Sequence, residues 1–181
     1  MLFLFILIVY IWGCVLTGAS ISVPKTVAKR IREEAEKLGM TSEEYLLELV
    51  TRGLDPRDRA REYIGVAEEL LEQAREELGK GGVRQAAEKL WGAAALAVKA
   101  YASWREGRRV ASHGELWEYK RRMVKELGGW VSDAWYAGQA MHTCFYEGWC
   151  AREDIEDAYR RVEKLVKEVA SRIKGERREP T

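Results

Sequence analysis

Between positions 89 and 104 the chain reads KLWGAAALAVKAYASW, and this alanine-rich run constrains the fold more than any other stretch. Alanine is the strongest helix former because it has no side-chain freedom to lose. The small side chains of Ala93, Ala94, Ala97 and Ala100 let neighbouring helices approach closely. A helix over 83–104 places Ala86, Leu90, Ala94, Ala97 and Tyr101 on a buried stripe and forms the centre of an all-α bundle.

The other bundle helices follow from their end signals. Asp55 caps and Pro56 opens a helix that carries Tyr63, Ala67, Leu70, Ala74 and Leu78 on one face. Gly79-Lys80-Gly81-Gly82 stops it, and lacks the length and the following Lys-Ser/Thr of a phosphate loop. Ser112 and Glu115 form a capping box for the next helix, which runs to Leu127 before Gly128-Gly129. An aromatic-rich helix over 130–145 and a turn at Phe145-Tyr146-Glu147-Gly148-Trp149 come next. The last helix, 154–174, has Ile155, Tyr159, Val162, Val166, Val169 and Ile173 at helical spacing. Residues 55–174 thus form a bundle of about five helices, and 175–181 a polar tail.

Ahead of the bundle, 20–54 reads as a unit of its own. Ser20-Ile21-Ser22-Val23 alternates like a short strand, and Pro24 opens a helix carrying Val27, Ile31, Ala35 and Leu38. Gly39 stops that helix, and Thr41 with Glu44 caps a second one. Strand, helix, turn, helix resembles the ribbon-helix-helix fold of small dimeric repressors. That resemblance implies a homodimer whose paired strands offer Ser20 and Ser22, with Lys25 beside them, to the DNA major groove. Serine discriminates bases poorly, so a dimerisation module that does not read DNA is the stronger expectation.

Residues 2–16, LFLFILIVYIWGCVL, are apolar almost throughout, short of the roughly 20 residues a membrane span needs. No Lys or Arg precedes them, so secretion fits least. Two readings of 1–19 stand level: a membrane anchor or a mis-assigned start. Lys25, Lys29, Arg30 and Arg32 follow, so an anchor over 2–18 would leave the rest of the chain cytoplasmic. The protein is therefore expected in the cytoplasm, tethered only if the leader is genuine.

Thirty Lys and Arg against 29 Asp and Glu exclude a global excess of positive charge, so any nucleic-acid surface must be local. The chain has no Asn and three Gln, an amide-poor, charge-rich pattern found in hyperthermophile proteins. Cys144, Cys150 and His142 fall a ligand short of a zinc site, so no metal and no cofactor is expected. Buried free thiols are the favoured reading of the two cysteines, with a Cys144–Cys150 disulfide the alternative.

Three segments in order resemble the archaeal PaREP family: KLWGAAALAVKA at 89–100, SHGELW at 112–117 and FYEGW at 145–149. That family is thought to be related to HEPN domains, and the resemblance implies an antiparallel HEPN-like bundle that dimerises. Some HEPN domains are ribonucleases that use arginine and histidine spaced along one helix. Others bind nucleotides or a protein partner without catalysis. Such chemistry needs an arginine against phosphate charge and a histidine as acid or base.

Here Arg108 and Arg109 precede His113 at nearly that spacing, but in an elbow between helices. His142 has no arginine in reach and reads as a bundle histidine, and His113 as a residue packing near Trp117. The leading expectation is a non-enzymatic, dimeric module for a nucleotide, nucleic acid or protein partner. Its ligand residues would be Arg105, Arg108, Arg109, His113, Glu115 and Tyr146. The alternatives are a metal-independent ribonuclease of toxin type using His113, Arg108 and Arg109, and a membrane-tethered interaction protein.

Overall fold

The computed structural model describes residues 22–38 and 40–175. These form seven helices and no strand: α1 (Lys25–Leu38), α2 (Ser42–Val50), α3 (Pro56–Gly79), α4 (Val83–Glu106), α5 (His113–Leu127), α6 (Trp130–Glu147) and α7 (Arg152–Gly175). The expected strand is not borne out, since Ser22 and Val23 take no regular structure. A two-residue stub has no neighbour in its own chain to complete a hydrogen-bonded ladder. Ser20, the apolar leader over 1–19 and the Gly39 stop lie outside the described residues. Among the described residues no helix is long and apolar enough to cross a membrane.

Helix α4 is the spine. It packs against α3, α5, α6 and α7, and every residue from Ala93 to Ser103 is buried. A helix enclosed on all sides needs small or apolar residues all round, and this one has them except at Lys99 and Ser103, which find polar partners. It approaches α6 closely, since a Cβ added to Gly138 would stand 2.7 Å from the Ala94 Cβ. Glycine opposite alanine is what lets those two backbones meet. The α3–α4 link turns within three residues, with Gly81 in the left-handed region at φ 82°.

The helix starts obey local chemistry. The Thr41 hydroxyl accepts from the Glu44 N–H at 3.1 Å, and the Glu44 carboxylate accepts from the Thr41 N–H at 3.0 Å. Ser112 and Glu115 repeat the arrangement at α5. Asp55 caps α3, with Pro56 in its first turn.

The α1–α2 unit is held to the bundle by polar contacts. Lys99, 3 % exposed, donates to Glu48 Oε1 at 3.0 Å, and the Tyr63 hydroxyl donates to Glu48 Oε2 at 2.9 Å. Burial and the nearby Glu48 carboxylate push the Tyr63 hydroxyl pKa up to about 12, so it stays a donor.

Candidate ligand cleft

A cleft of about 930 Å³ lies where the end of α1, α2, the second half of α3, the middle of α4, the start of α5 and the end of α6 meet. Its volume falls in the range of small-molecule sites. The two histidines of the chain converge in its wall. His113 lies flat on Trp91, with ring centroids 5.1 Å apart and an interplanar angle of 11°. His142 meets the same indole at 4.8 Å, and the two imidazoles are 5.4 Å apart. Tyr146 sets its ring against His142 at 5.2 Å and 87°, while remaining largely exposed.

Each ring is placed by a local device. The Ser112 cap starts α5 so that His113 is its first residue. His142 and Tyr146 lie four positions apart, on one face of the last turns of α6. Gly148 ends that helix in the left-handed region at φ 72°, and Arg84 grips the turn. Arg84 Nε donates to the Phe145 carbonyl at 2.7 Å and its Nη2 to the Tyr146 carbonyl at 3.3 Å. A Cys144–Cys150 disulfide closes the same turn, with Cα atoms 5.6 Å apart. This corrects the expectation of free thiols. Gly148 lets the chain fold back far enough to bring Cys150 beside the buried end of α6, where Cys144 is fully enclosed.

Burial, and then the neighbouring His113, hold the His142 pKa below its ordinary 6.5, against a smaller opposing pull from Glu44. The His142 ring is therefore a neutral imidazole at pH 7. It is a cleft wall rather than an enclosed bundle residue, and His113 meets Trp91 rather than the expected Trp117.

The elbow arginines point elsewhere, and none of the three lines the cleft. Arg105 pairs with Glu126 at 3.3 Å, and Arg108 with Glu115 at 3.6 Å and Glu118 at 3.5 Å. Arg109 Nη2 donates to the Thr51 carbonyl at 2.6 Å, and Nη1 reaches Glu48 at 3.4 Å. Gly107, left-handed at φ 65°, turns the chain after α4, and beyond it Arg108 reaches α5 and Arg109 reaches α2 and the residue that follows it. Glu115 serves the α5 cap. The Ala111 and Ser112 N–H groups donate to it and, with the Arg108 guanidinium, hold its carboxyl below the usual range. Ser22 and Lys25 are exposed at the start of α1.

Three residues of consequence were not singled out as site or anchoring residues from the sequence. Trp91 bears both imidazoles, Arg84 holds the Tyr146 turn, and Arg59 locks the elbow. Arg59 is buried, with Nε donating to Ser103 Oγ at 2.9 Å and Nη2 to the Gly107 carbonyl at 2.9 Å. The scarcity of histidine, two in the whole chain, is the one cue the sequence offers for the cleft, and it does not say that the two meet. Among the described residues no group of three or more His, Cys, Asp or Glu is placed to hold a metal ion.

Fold and cleft together define an all-helical bundle with a ring-lined cavity beside its central helix. The family model of the archaeal PaREP1/PaREP8 family matches residues 62–166, from the first turns of α3 into α7. The chain belongs to that family. No curated protein and no solved structure matches it.

Proposed function

We propose that this protein is a non-enzymatic binding module and that its ligand sits in the cleft against His113, His142 and Tyr146. The observation that carries this reading is the convergence of both histidines on Trp91 in the wall of a ligand-sized cavity. Rings held by packing lose little freedom when a planar ligand stacks on them, so recognition there costs little ordering. The all-helical bundle is compatible with the HEPN-like expectation. Exposed Val27, Leu46, Leu49 and Val50 on α1 and α2 support a role for that unit in dimerisation.

The ribonuclease alternative asks for an arginine and a histidine at one phosphate. Arg108 and Arg109 are committed to carboxylates and a carbonyl away from the cleft, which favours binding over catalysis. The test is an NMR titration with indole as a neutral planar probe. The two imidazoles give separate C–H resonances, assigned with His113→Gln and His142→Gln. Both resonances are expected to move together and to saturate in the millimolar range. Failure of either to move up to the solubility limit of indole would overturn the reading.

A further inference from the structure

The cleft is strongly acidic, and this decides what kind of ring or chain it accepts. Seven glutamates and two lysines line it, and one of those glutamates, Glu77, is paired with Lys80 at 3.1 Å. Both lysines are spoken for: Lys99 pairs with Glu48 at 3.0 Å and Lys89 with Glu43 at 3.8 Å. Glu69 on α3 and Glu88 on α4 have no cation within ion-pair distance among the described residues. Glu44 on α2 is occupied only with its own helix cap. Carboxylates therefore line the cavity from four helices, α1 to α4, while burial and His113 keep the His142 pKa below its ordinary 6.5.

Glutamate side chains on an open surface point into water at little cost. Here the Glu88 carboxyl is desolvated and has Glu43 and Glu44 nearby, which raises its pKa despite Lys89. Glu69 is exposed, while Glu44 and Glu88 are half-buried; carboxylates that face one concave space repel one another, and a bound positive charge relieves that repulsion. The same field opposes a phosphate. The exposed Tyr146 ring, at right angles to that of His142, supplies a π surface against which an alkylammonium or guanidinium can rest.

We propose that the ligand of this cleft is an organic cation, an amine or guanidine borne on an aromatic or methylene body, held between Glu69, Glu88 and Glu44 and the His113–His142–Tyr146 rings. This rests on the cleft being a binding site and adds the sign of the ligand's charge. It runs against the nucleotide and nucleic-acid expectation, because those ligands bring negative charge to an already negative wall.

Three probes with one ring and three charges test it on the full chain: tryptamine, indole and indole-3-acetate. Tryptamine is expected to bind at least about tenfold more tightly than indole, and indole-3-acetate more weakly than either. The tryptamine advantage should shrink severalfold in Glu69→Gln/Glu88→Gln and at high salt, while indole affinity stays constant. N-acetyl-lysine methylamide, a lysine side chain without a free backbone charge, separates the source of the cation. If it binds better than tryptamine, the cation belongs to a partner protein rather than a free amine. Equal affinity for the three indoles, or preference for indole-3-acetate, overturns the proposal and leaves the cleft reading intact. Binding of none overturns both.

Discussion

Lys99 Nζ donates to Glu48 Oε1 at 3.0 Å, and this bond joins the central helix α4 to α2 across 51 positions of sequence. Lys99 is almost wholly enclosed, whereas Glu48 is 19 % exposed and also receives Tyr63 and Arg109. The two ends of the pair are therefore unequal. Glu48→Ala leaves an ammonium buried without its counter-charge, which costs about 3 kcal/mol by analogy with broken buried pairs. Lys99→Met removes the enclosed charge itself and leaves Glu48 with two remaining partners, so it should cost clearly less. Urea unfolding of the two variants checks the order. Amide exchange over α2 should accelerate most in Glu48→Ala, since that is the helix the pair secures.

The contact between α4 and α6 makes a sharper prediction because its geometry allows no give. A methyl group at Gly138 would meet the Ala94 Cβ at 2.7 Å, and neither atom belongs to a flexible chain end. Alanine in place of glycine within a helix gains about 1 kcal/mol of propensity. Forcing two packed helices apart costs about 1–3 kcal/mol, so the clash wins and Gly138→Ala should destabilise. Gly65, inside α3, is the control: a Cβ there meets nothing within 4 Å. Gly65→Ala should stabilise by about 0.5–1 kcal/mol. Opposite signs for one chemical change, read by thermal denaturation, test whether α4 and α6 approach as closely as described.

What could be read from the sequence was what local chemistry decides. The capping boxes at Thr41 and Ser112, the Asp55-Pro56 start and the glycine stops after α3 and α5 all act within four residues, and each lies where the chain predicted it. The enclosed helix was legible because alanine on every face leaves no other place for it. The strand was not, because a strand needs a partner and two described residues of alternating pattern supply none. Spacing along the chain makes the elbow a site, yet Arg108 and Arg109 are drawn to Glu115, Glu118, Glu48 and the Thr51 carbonyl, away from the cleft wall that holds His113. The His113–His142 pair depends on how α5 and α6 lie across α4, which no local pattern encodes. Arg59 and Lys99 were hidden for the same reason, their partners lying more than forty positions away.

The Cys144–Cys150 bridge closes a six-residue separation at the end of α6. A loop of that size lowers the entropy of the unfolded chain enough to stabilise the fold by about 2 kcal/mol. Cys150→Ser, or reduction of the wild-type chain, should lower stability by about that amount. The turn has a second hold through Arg84, so it should loosen rather than unfold. The Tyr146 resonance should broaden or shift on reduction, and the His142 resonance with it. A reduced protein with unchanged stability and unchanged His142 would show that Arg84 alone positions the turn.

Acid should find the cleft before it finds the rest of the fold. Burial and His113 depress the His142 pKa below 6.5, so the folded protein binds this proton less readily than the unfolded chain does. The stability contributed by a neutral His142 is full above pH 6.5. It declines as pH falls from there through the depressed folded-state value, and is then constant. Carboxylates with lowered pKa, such as Glu115, act in a separate and lower window, below their ordinary value of 4.5. Glu88 opposes them, because its raised pKa favours the folded state on protonation. His142→Gln should therefore flatten the decline between pH 6.5 and that lower window, leaving the acid limb unchanged. Unfolding free energies of wild type and variant, measured at half-unit pH steps, decide it: parallel curves would show that His142 titrates normally and is not desolvated in the cleft wall.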